Sequence, residues 1–166
     1  MTMQWGMKKW VGLLLLVSVV AAVYWGLTQK PNAPSLQAID ITGRPVSLAQ
    51  WHGHPVLVDF WATSCPGCVQ EMPKLAAFYR QFHPAGFELL AVAMNYDDVS
   101  QVRHLVAEQN LPFTVVVDTD GRIAQSFGGV TVTPTDFLID EKGKIVQQII
   151  GDKDYSDLAR RVKSSD

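Results

Sequence analysis

Residues 10–27 form an uninterrupted run of 18 uncharged residues near the start of the 166-residue chain, and 15 of them are hydrophobic. At a rise of about 1.5 Å per residue, a helix of this length spans about 27 Å, close to the roughly 30 Å hydrocarbon core of a bilayer. Aromatic residues stand at both ends of the run, at the depth where lipid headgroups begin. The run predicts one transmembrane helix and leaves the later residues to form the folded domain.

The distribution of charge predicts the orientation of this helix. Lys8 and Lys9 precede the run, Lys30 alone follows it, and residues 1–30 contain no acidic residue, although the whole chain has a net charge of −2. Because an excess of lysine marks the cytoplasmic side, the N-terminus is expected in the cytoplasm and the C-terminal domain outside it. A cleaved secretory signal has the same polarity and is the alternative, with the domain exported in either case.

The sequence thus predicts four segments, anchored in the inner (cytoplasmic) membrane of the cell. Residues 1–9 form a cytoplasmic N-terminus, residues 10–27 the transmembrane helix, residues 28–35 a short linker with two prolines, and residues 36–166 a periplasmic or other extracytoplasmic domain. The exported part is acidic and has no basic patch, so a nucleic-acid partner is not expected.

Strand and helix patterns alternate along the exported part, after a hairpin pattern at residues 35–48. This order predicts an α/β domain in which a central mixed sheet is flanked by helices. Strands are predicted at residues 55–61, 87–94, 113–117, 135–139 and 144–150, and helices at residues 66–82, 99–109 and 155–162.

Both cysteines of the chain lie in the sequence Cys65-Pro-Gly-Cys68, where a predicted buried strand turns into a predicted helix. This position puts Cys65 at the helix N-terminus, where unpaired N–H groups and the helix dipole favour a thiolate, and Cys68 one turn further on. Pro66 suits the first helical position, where no intrahelical hydrogen bond is lost. We interpret the two cysteines as a redox pair in which Cys65 attacks and Cys68 resolves, with a Cys65–Cys68 disulfide as the oxidised form.

Three other roles for the cysteine pair fit the sequence less well. A structural zinc site needs four ligands, but the chain has only two cysteines, and His52 and His54 could complete the set only by coincidence. A purely structural disulfide across so short a loop would add little stability, and inert thiols are unusual in an exported protein. Neither a metal nor a cofactor is therefore expected.

Two acidic residues near the cysteines strengthen the redox interpretation. Asp59 interrupts the apolar strand six residues before Cys65, a position at which a carboxylate is costly unless it has a partner or a task. Glu71 follows Cys68 by three residues and so lies beside it on a helix. Either carboxylate could accept the proton of Cys68 when that thiol attacks a mixed disulfide. The sequence alone does not choose between them.

The stretch around the cysteines resembles the thioredoxin superfamily and, within it, the membrane-tethered TlpA/ResA-like thiol-disulfide reductases. The sequence that carries the resemblance is Val-Asp59-Phe-Trp-Ala-Thr-Ser-Cys65-Pro-Gly-Cys68-Val-Gln-Glu71-Met-Pro73. The resemblance extends over residues 35–163 and implies a thioredoxin-like fold, in which residues 89–117 resemble the strand-helix insertion of TlpA-like proteins. It also implies that Asp59 is the buried acid of thioredoxins and that Glu71 is the acid of the TlpA/ResA-like group.

A second motif, Val-Thr133-Pro134-Thr, resembles the cis-proline loop of the same superfamily. The resemblance implies that this loop faces the cysteines and pairs with the backbone of the substrate, so Thr133 and Pro134 are predicted substrate-binding residues. Trp61 is predicted to pack beneath the site and also to shape the substrate surface.

The resemblance implies a reductase whose partners are client proteins with disulfides and a thiol-reducing electron donor in the membrane. It suggests clients of the cytochrome c maturation or copper-site assembly type. The Pro-Gly dipeptide between the cysteines does not fix the redox direction, so an oxidant or isomerase is the first alternative. The second is a copper-binding metallochaperone that uses Cys65, Cys68 and His52 or His54.

Overall fold

The computed structural model describes residues 16–21, 24–26 and 29–163. The chain divides between Pro31 and Asn32 into two compact units. In the first unit, residues 16–21 and 24–26 are helical and exposed. Among the described residues, no helix is both long and apolar enough to cross a membrane. The predicted cytoplasmic segment, residues 1–9, lies outside the described residues, as does part of the predicted membrane span.

The second unit is built on a five-stranded mixed sheet with the strand order β5-β4-β3-β6-β7. Strands β3, β4 and β5 are parallel to one another, whereas β6 and β7 are antiparallel to their neighbours. This confirms the predicted central mixed sheet. The strands of this sheet are β3 (Val56–Trp61), β4 (Glu88–Ala93), β5 (Thr114–Val117), β6 (Thr135–Ile139) and β7 (Ile145–Ile150).

Two short strands, β1 (Gln37–Ile39) and β2 (Pro45–Ser47), form the predicted hairpin as a separate two-stranded sheet. The hairpin is attached to the edge of the main sheet by a bridge between Asp40 and Val116. The helices of this unit are α1 (Pro66–Phe82), α2 (Val99–Glu108), α3 (Arg122–Ser126) and α4 (Tyr155–Lys163), with short 3-10 turns at Leu48–Trp51 and His83–Ala85.

Strand β3 carries the site because it lies at the centre of the sheet and leads directly to Cys65. All its residues are buried, as the continuous apolar run predicts for a strand covered on both faces. Side chains alternate between the two faces of a strand. Leu57 and Trp61 pack in the core with α1, whereas Val58 and Phe60 pack in the core on the opposite face. Asp59 therefore points to the same face as Leu57 and Trp61, towards α1.

Within the described residues of the second unit, helix α3 is the one helix that has no counterpart among the predicted helices. It is only five residues long and lies next to the turn at Asp118. The Asp118 carboxylate accepts hydrogen bonds from the backbone N–H groups of Ile123 and Ala124, at 2.9 and 2.8 Å. The helix thus depends on a buried side chain outside it, which a local hydrophobic pattern does not reveal.

Candidate active site

The two cysteines form a disulfide at the start of α1, as predicted. Cys65 is the N-cap residue of the helix, and its Sγ accepts a hydrogen bond from the backbone N–H of Cys68 at 3.2 Å. Pro66 occupies the first turn, so its missing N–H removes no helical hydrogen bond. The helix N-terminus is therefore directed at the Cys65 sulfur, where it can stabilise a thiolate.

The two sulfurs differ in accessibility. Cys68 is only 2% exposed and belongs to the core beneath α1, whereas Cys65 is half-buried and its neighbours Ser64, Pro66 and Gly67 are exposed. A client protein can therefore reach Cys65 more easily than Cys68. This difference agrees with Cys65 as the attacking thiol and Cys68 as the resolving thiol.

The loop before β6 lies against the disulfide. The Thr133–Pro134 peptide bond is cis, and the carbonyl oxygen of Thr133 lies 3.7 Å from Cys65 Sγ. Both residues are half-buried, so part of this loop is open to solvent. The expected juxtaposition of the two motifs is confirmed, 68 residues apart in sequence. Substrate binding by Thr133 and Pro134 stays a prediction.

Trp61 occupies a different place from the one expected of a substrate-contacting residue. Its side chain is fully buried and packs with Cys68 and Met72 in the core beneath α1. The expected packing role is confirmed, but the expected contribution to the substrate surface is not available to a side chain with no exposed area. The alternation of β3 explains this position, because Trp61 lies two residues after Asp59 and points to the same covered face.

The loop that leads from β3 to Cys65 is fixed by a neighbouring loop. Asp97 accepts hydrogen bonds from the backbone N–H and the hydroxyl of Thr63, at 2.8 and 2.9 Å. The exposed ring of Tyr96 lies next to Asp97 in sequence, and the exposed Val132 precedes Thr133. Apolar side chains thus occur in both loops near the disulfide.

A cluster of charged groups is buried beneath the site. The Nζ atom of Lys153 lies 3.3 Å from Asp59 Oδ1, 2.8 Å from Glu71 Oε2 and 3.1 Å from Asp136 Oδ2. Asp59, Asp136 and the lysine side chain are almost fully buried, and Glu71 is largely buried. The Tyr155 hydroxyl donates a hydrogen bond to Glu71 Oε1 at 3.0 Å. The two predicted acids, Asp59 and Glu71, are therefore joined through one lysine.

The cluster changes the protonation of its members. Burial alone lowers the pKa of Lys153, but the carboxylates of Asp59, Asp136 and Glu71 outweigh it and raise this pKa, so the lysine is charged at neutral pH. Burial, reinforced by the charge of Asp59, raises the pKa of Asp136 well above its ordinary value. Burial and the charge of Glu71 likewise raise the pKa of Tyr155, which keeps its hydroxyl as a donor.

Three members of this cluster are not among the residues predicted from the sequence: Asp136, Lys153 and Tyr155. Asp136 carried a usable signal, because it interrupts the apolar strand β6 just as Asp59 interrupts β3. Lys153 carried none, since it follows β7 in a short connection that reads as an ordinary surface turn. The same connection contains Gly151, which has a φ of 85° and whose N–H donates a hydrogen bond to the Pro134 carbonyl at 2.9 Å.

The histidines considered as copper or zinc ligands lie away from the cysteines. His52 and His54 precede β3, whereas Cys65 follows it, and a six-residue strand is about 20 Å long. In the described part of the chain, no group of three or more His, Cys, Asp or Glu side chains is arranged to hold a metal ion. A site that combines these histidines with the cysteine pair is therefore not formed.

Comparisons with known proteins agree with this geometry. The sequence profile of the AhpC/TSA family matches residues 30–148. The thiol-disulfide oxidoreductase ResA of Bacillus thuringiensis subsp. konkukian is 32% identical over 132 residues, which cover 80% of this chain and 75% of that protein.

Two solved structures share the fold. A thiol:disulfide interchange protein of the thioredoxin family from Chlorobium tepidum TLS superposes with a TM-score of 0.76 at 27% identity, over 83% of this chain and 97% of the other. StoA from Bacillus subtilis superposes with a TM-score of 0.67 at 26% identity, over 78% and 98% of the two chains.

Proposed function

This chain belongs to the AhpC/TSA family and is a thiol-disulfide oxidoreductase of the ResA type, and we propose that it reduces the disulfides of client proteins outside the cytoplasmic membrane. The observation that carries the proposal is the pairing of a half-buried Cys65 with a buried Cys68, beside the Thr133 carbonyl. Cys65 Sγ can react with a client disulfide, whereas Cys68 Sγ can react only after the client is bound.

The reaction runs through a mixed disulfide. The Cys65 thiolate attacks a sulfur of the client disulfide, and the client's other sulfur leaves as a thiolate. Cys68 then loses its proton and attacks Cys65 Sγ, which releases the second client sulfur and forms the Cys65–Cys68 disulfide. A thiol-reducing donor in the membrane restores the dithiol. The half-buried loop at Thr133 and Pro134, beside Cys65, gives the client segment backbone groups to pair with during the exchange.

The charge around the cysteines supports the reducing direction. The N-terminus of α1 stabilises a thiolate at Cys65, which favours the reduced form, whereas nearby carboxylates oppose thiolates and favour oxidation of the pair. Asp59 and Glu71 place two carboxylates against one lysine beneath the site, whereas the raised pKa of Asp136 favours its neutral form. The excess of acid over base supports a pair that gives up electrons readily.

A redox titration tests the direction. We expect residues 32–166, equilibrated with glutathione or thioredoxin buffers, to have a reduction potential near that of thioredoxin, about −270 mV. The fraction of disulfide is read by alkylation and mass spectrometry, and a Cys65→Ser/Cys68→Ser double variant provides the baseline. A potential near the roughly −120 mV of the strong oxidant DsbA would instead support the oxidant alternative.

We also propose that residues 10–27 anchor the domain to the inner membrane, on the strength of their apolar length and the lysines before them. A reporter that is active only outside the cytoplasm, fused after Asp166, is expected to be active in intact cells. A reporter that works only in the cytoplasm, fused at the same point, serves as the matched control. Activity of the cytoplasmic reporter alone would contradict the proposed topology.

The proposed clients are exported proteins that must present reduced cysteines for assembly. We include haem-attachment cysteines of apocytochromes c and the cysteines of copper-site assembly proteins, because the TlpA/ResA-like resemblance implies these two types. The acidic charge of the chain after residue 30 favours client segments that are neutral or basic near their cysteines. Mass-spectrometric identification of covalently trapped clients distinguishes the two types.

A further inference from the structure

The buried cluster holds two carboxyl groups side by side. Asp59 of β3 and Asp136 of β6 are directly paired across adjacent antiparallel strands, and they are 1% and 0% exposed. Cβ atoms of directly opposite residues are about 4.5–5.5 Å apart, and two like charges at that position destabilise a sheet. Lys153 supplies one positive charge, but it also pairs with Glu71. Full ionisation would leave the cluster with two uncompensated negative charges.

Two buried carboxyl oxygen atoms without hydrogen-bond partners also indicate that full ionisation of the cluster is unfavourable. Over the residues that the structure describes, Asp59 Oδ2 and Asp136 Oδ1 are buried and have no hydrogen-bond partner. Buried carboxylate oxygens without donors are costly. One proton held between the two carboxyls supplies the missing donor, because a protonated Asp136 can donate to an ionised Asp59. Two negative charges are then left, on Asp59 and Glu71, and Lys153 neutralises one of them.

We propose that Asp136 is a positioning residue for the redox reaction, which together with Asp59 holds one proton that the cluster exchanges with the sulfur of Cys68. This inference rests on the proposed disulfide exchange. Glu71 connects the pair to the sulfur: it lies one helical turn after Cys68, and its Oε2 is 2.8 Å from Lys153 Nζ. The lysine in turn contacts both aspartates.

The cluster takes up this proton in one direction of the exchange and returns it in the other. When Cys68–SH attacks a mixed disulfide on Cys65, its S–H proton goes to the cluster, the new Cys65–Cys68 bond forms, and the client sulfur leaves with the electron pair of the broken bond. When an incoming thiolate opens the disulfide at Cys65, the electron pair of the broken S–S bond stays on Cys68. The cluster then returns its proton to that sulfur.

The ionisable groups of this region come from five parts of the chain. Asp59 comes from β3, Asp136 from β6, Glu71 from α1, Lys153 from the connection after β7, and Tyr155 from α4. Burial and the charge of Asp59 both favour the protonated form of Asp136, so its raised pKa agrees with a shared proton. The charged lysine opposes this effect without removing it.

Asp136→Asn tests the proposal, because it keeps the size of the side chain and removes the titrating group. We measure the rate at which dithiothreitol reduces the oxidised full chain in detergent micelles, between about pH 5 and pH 9. Relative to wild type, we expect the variant to be about tenfold slower at neutral pH and to lose an inflection of the pH profile. Asp118→Asn is the matched control: it changes a buried aspartate outside the cluster and is expected to retain the wild-type profile.

Failure of the proposed role of Asp136 and failure of the proposed function would give different results. A folded Asp136→Asn variant with the wild-type pH profile would overturn the role of Asp136 alone. A wild-type chain whose disulfide does not react with dithiothreitol at any pH would instead contradict the proposed function.

A second measurement needs no variant. Carboxyl-carbon NMR of the oxidised wild type should show one aspartate that stays protonated well above the ordinary range near pH 4. Ionisation of every aspartate within that range would overturn the shared proton.

Discussion

Cys68→Ser is expected to accumulate client proteins covalently bound to Cys65. The variant keeps the more accessible sulfur at the N-terminus of α1 but removes the buried thiol that resolves the mixed disulfide. Resolution is then left to thiols in solution, which lack the proximity of a residue one helical turn away. We expect the trapped fraction to rise by at least about a hundredfold over wild type, as measured on non-reducing gels after acid quenching.

The matched control for the trap is Cys65→Ser. This variant retains Cys68, which is only 2% exposed, so few clients should form a stable bond with it. Equal trapping by both variants would mean that burial does not distinguish the two sulfurs. The absence of any adduct in Cys68→Ser cells, with the protein present at normal level, would count against client exchange itself.

Lys153→Met is expected to lower the free energy of unfolding of residues 32–166 by about 3–5 kcal/mol. The substitution keeps a long apolar side chain but removes the only cation within ion-pair distance of Asp59, Asp136 and Glu71 among the described residues. The buried carboxylates must then either stay charged without compensation or bind further protons. Urea unfolding at neutral pH, followed by circular dichroism, measures the change.

A surface lysine on α1 provides the comparison for Lys153. Lys74 is exposed, so Lys74→Met should change the unfolding free energy by less than about 0.5 kcal/mol. A similarly small effect of Lys153→Met would show that the cluster contributes little to stability. Adding Asp136→Asn to Lys153→Met should recover part of the loss, because the double variant has one buried acid fewer.

The central elements of the fold were predictable because their signals are local. The apolar run of β3, followed by Cys65 and Pro66, indicated a buried strand, an N-cap and a first helical turn, and α1 spans Pro66–Phe82 as predicted. Asp59 was predictable for a similar reason, because a single acid in an apolar strand is easily recognised. Helix α3 was not predictable because its backbone N–H groups donate hydrogen bonds to the Asp118 side chain outside the helix, which its own sequence pattern does not reveal.

The electrostatic part of the site was only half predictable. Glu71 was expected beside Cys68, but its partners Lys153 and Tyr155 are 82 and 84 residues away in sequence. Nothing local marks a lysine in a short loop as buried, since lysines in such positions are usually solvated. The sequence left open whether Asp59 or Glu71 accepts the proton of Cys68, and the structure shows that the two residues belong to one cluster. One ammonium group joins both carboxylates, and a third acid, Asp136, joins with them.

Mass-spectrometric mapping of the trapped adduct in Cys68→Ser cells tests the proposed exchange with client disulfides most directly. Digestion without reduction should yield client peptides bonded to the peptide that contains Cys65, and each client should contribute a cysteine that is paired in its oxidised form. Adducts with disulfide-forming clients would confirm that Cys65 is the sulfur that exchanges with exported proteins. Adducts confined to small thiols such as glutathione, with no protein partner, would contradict the proposed activity on client disulfides.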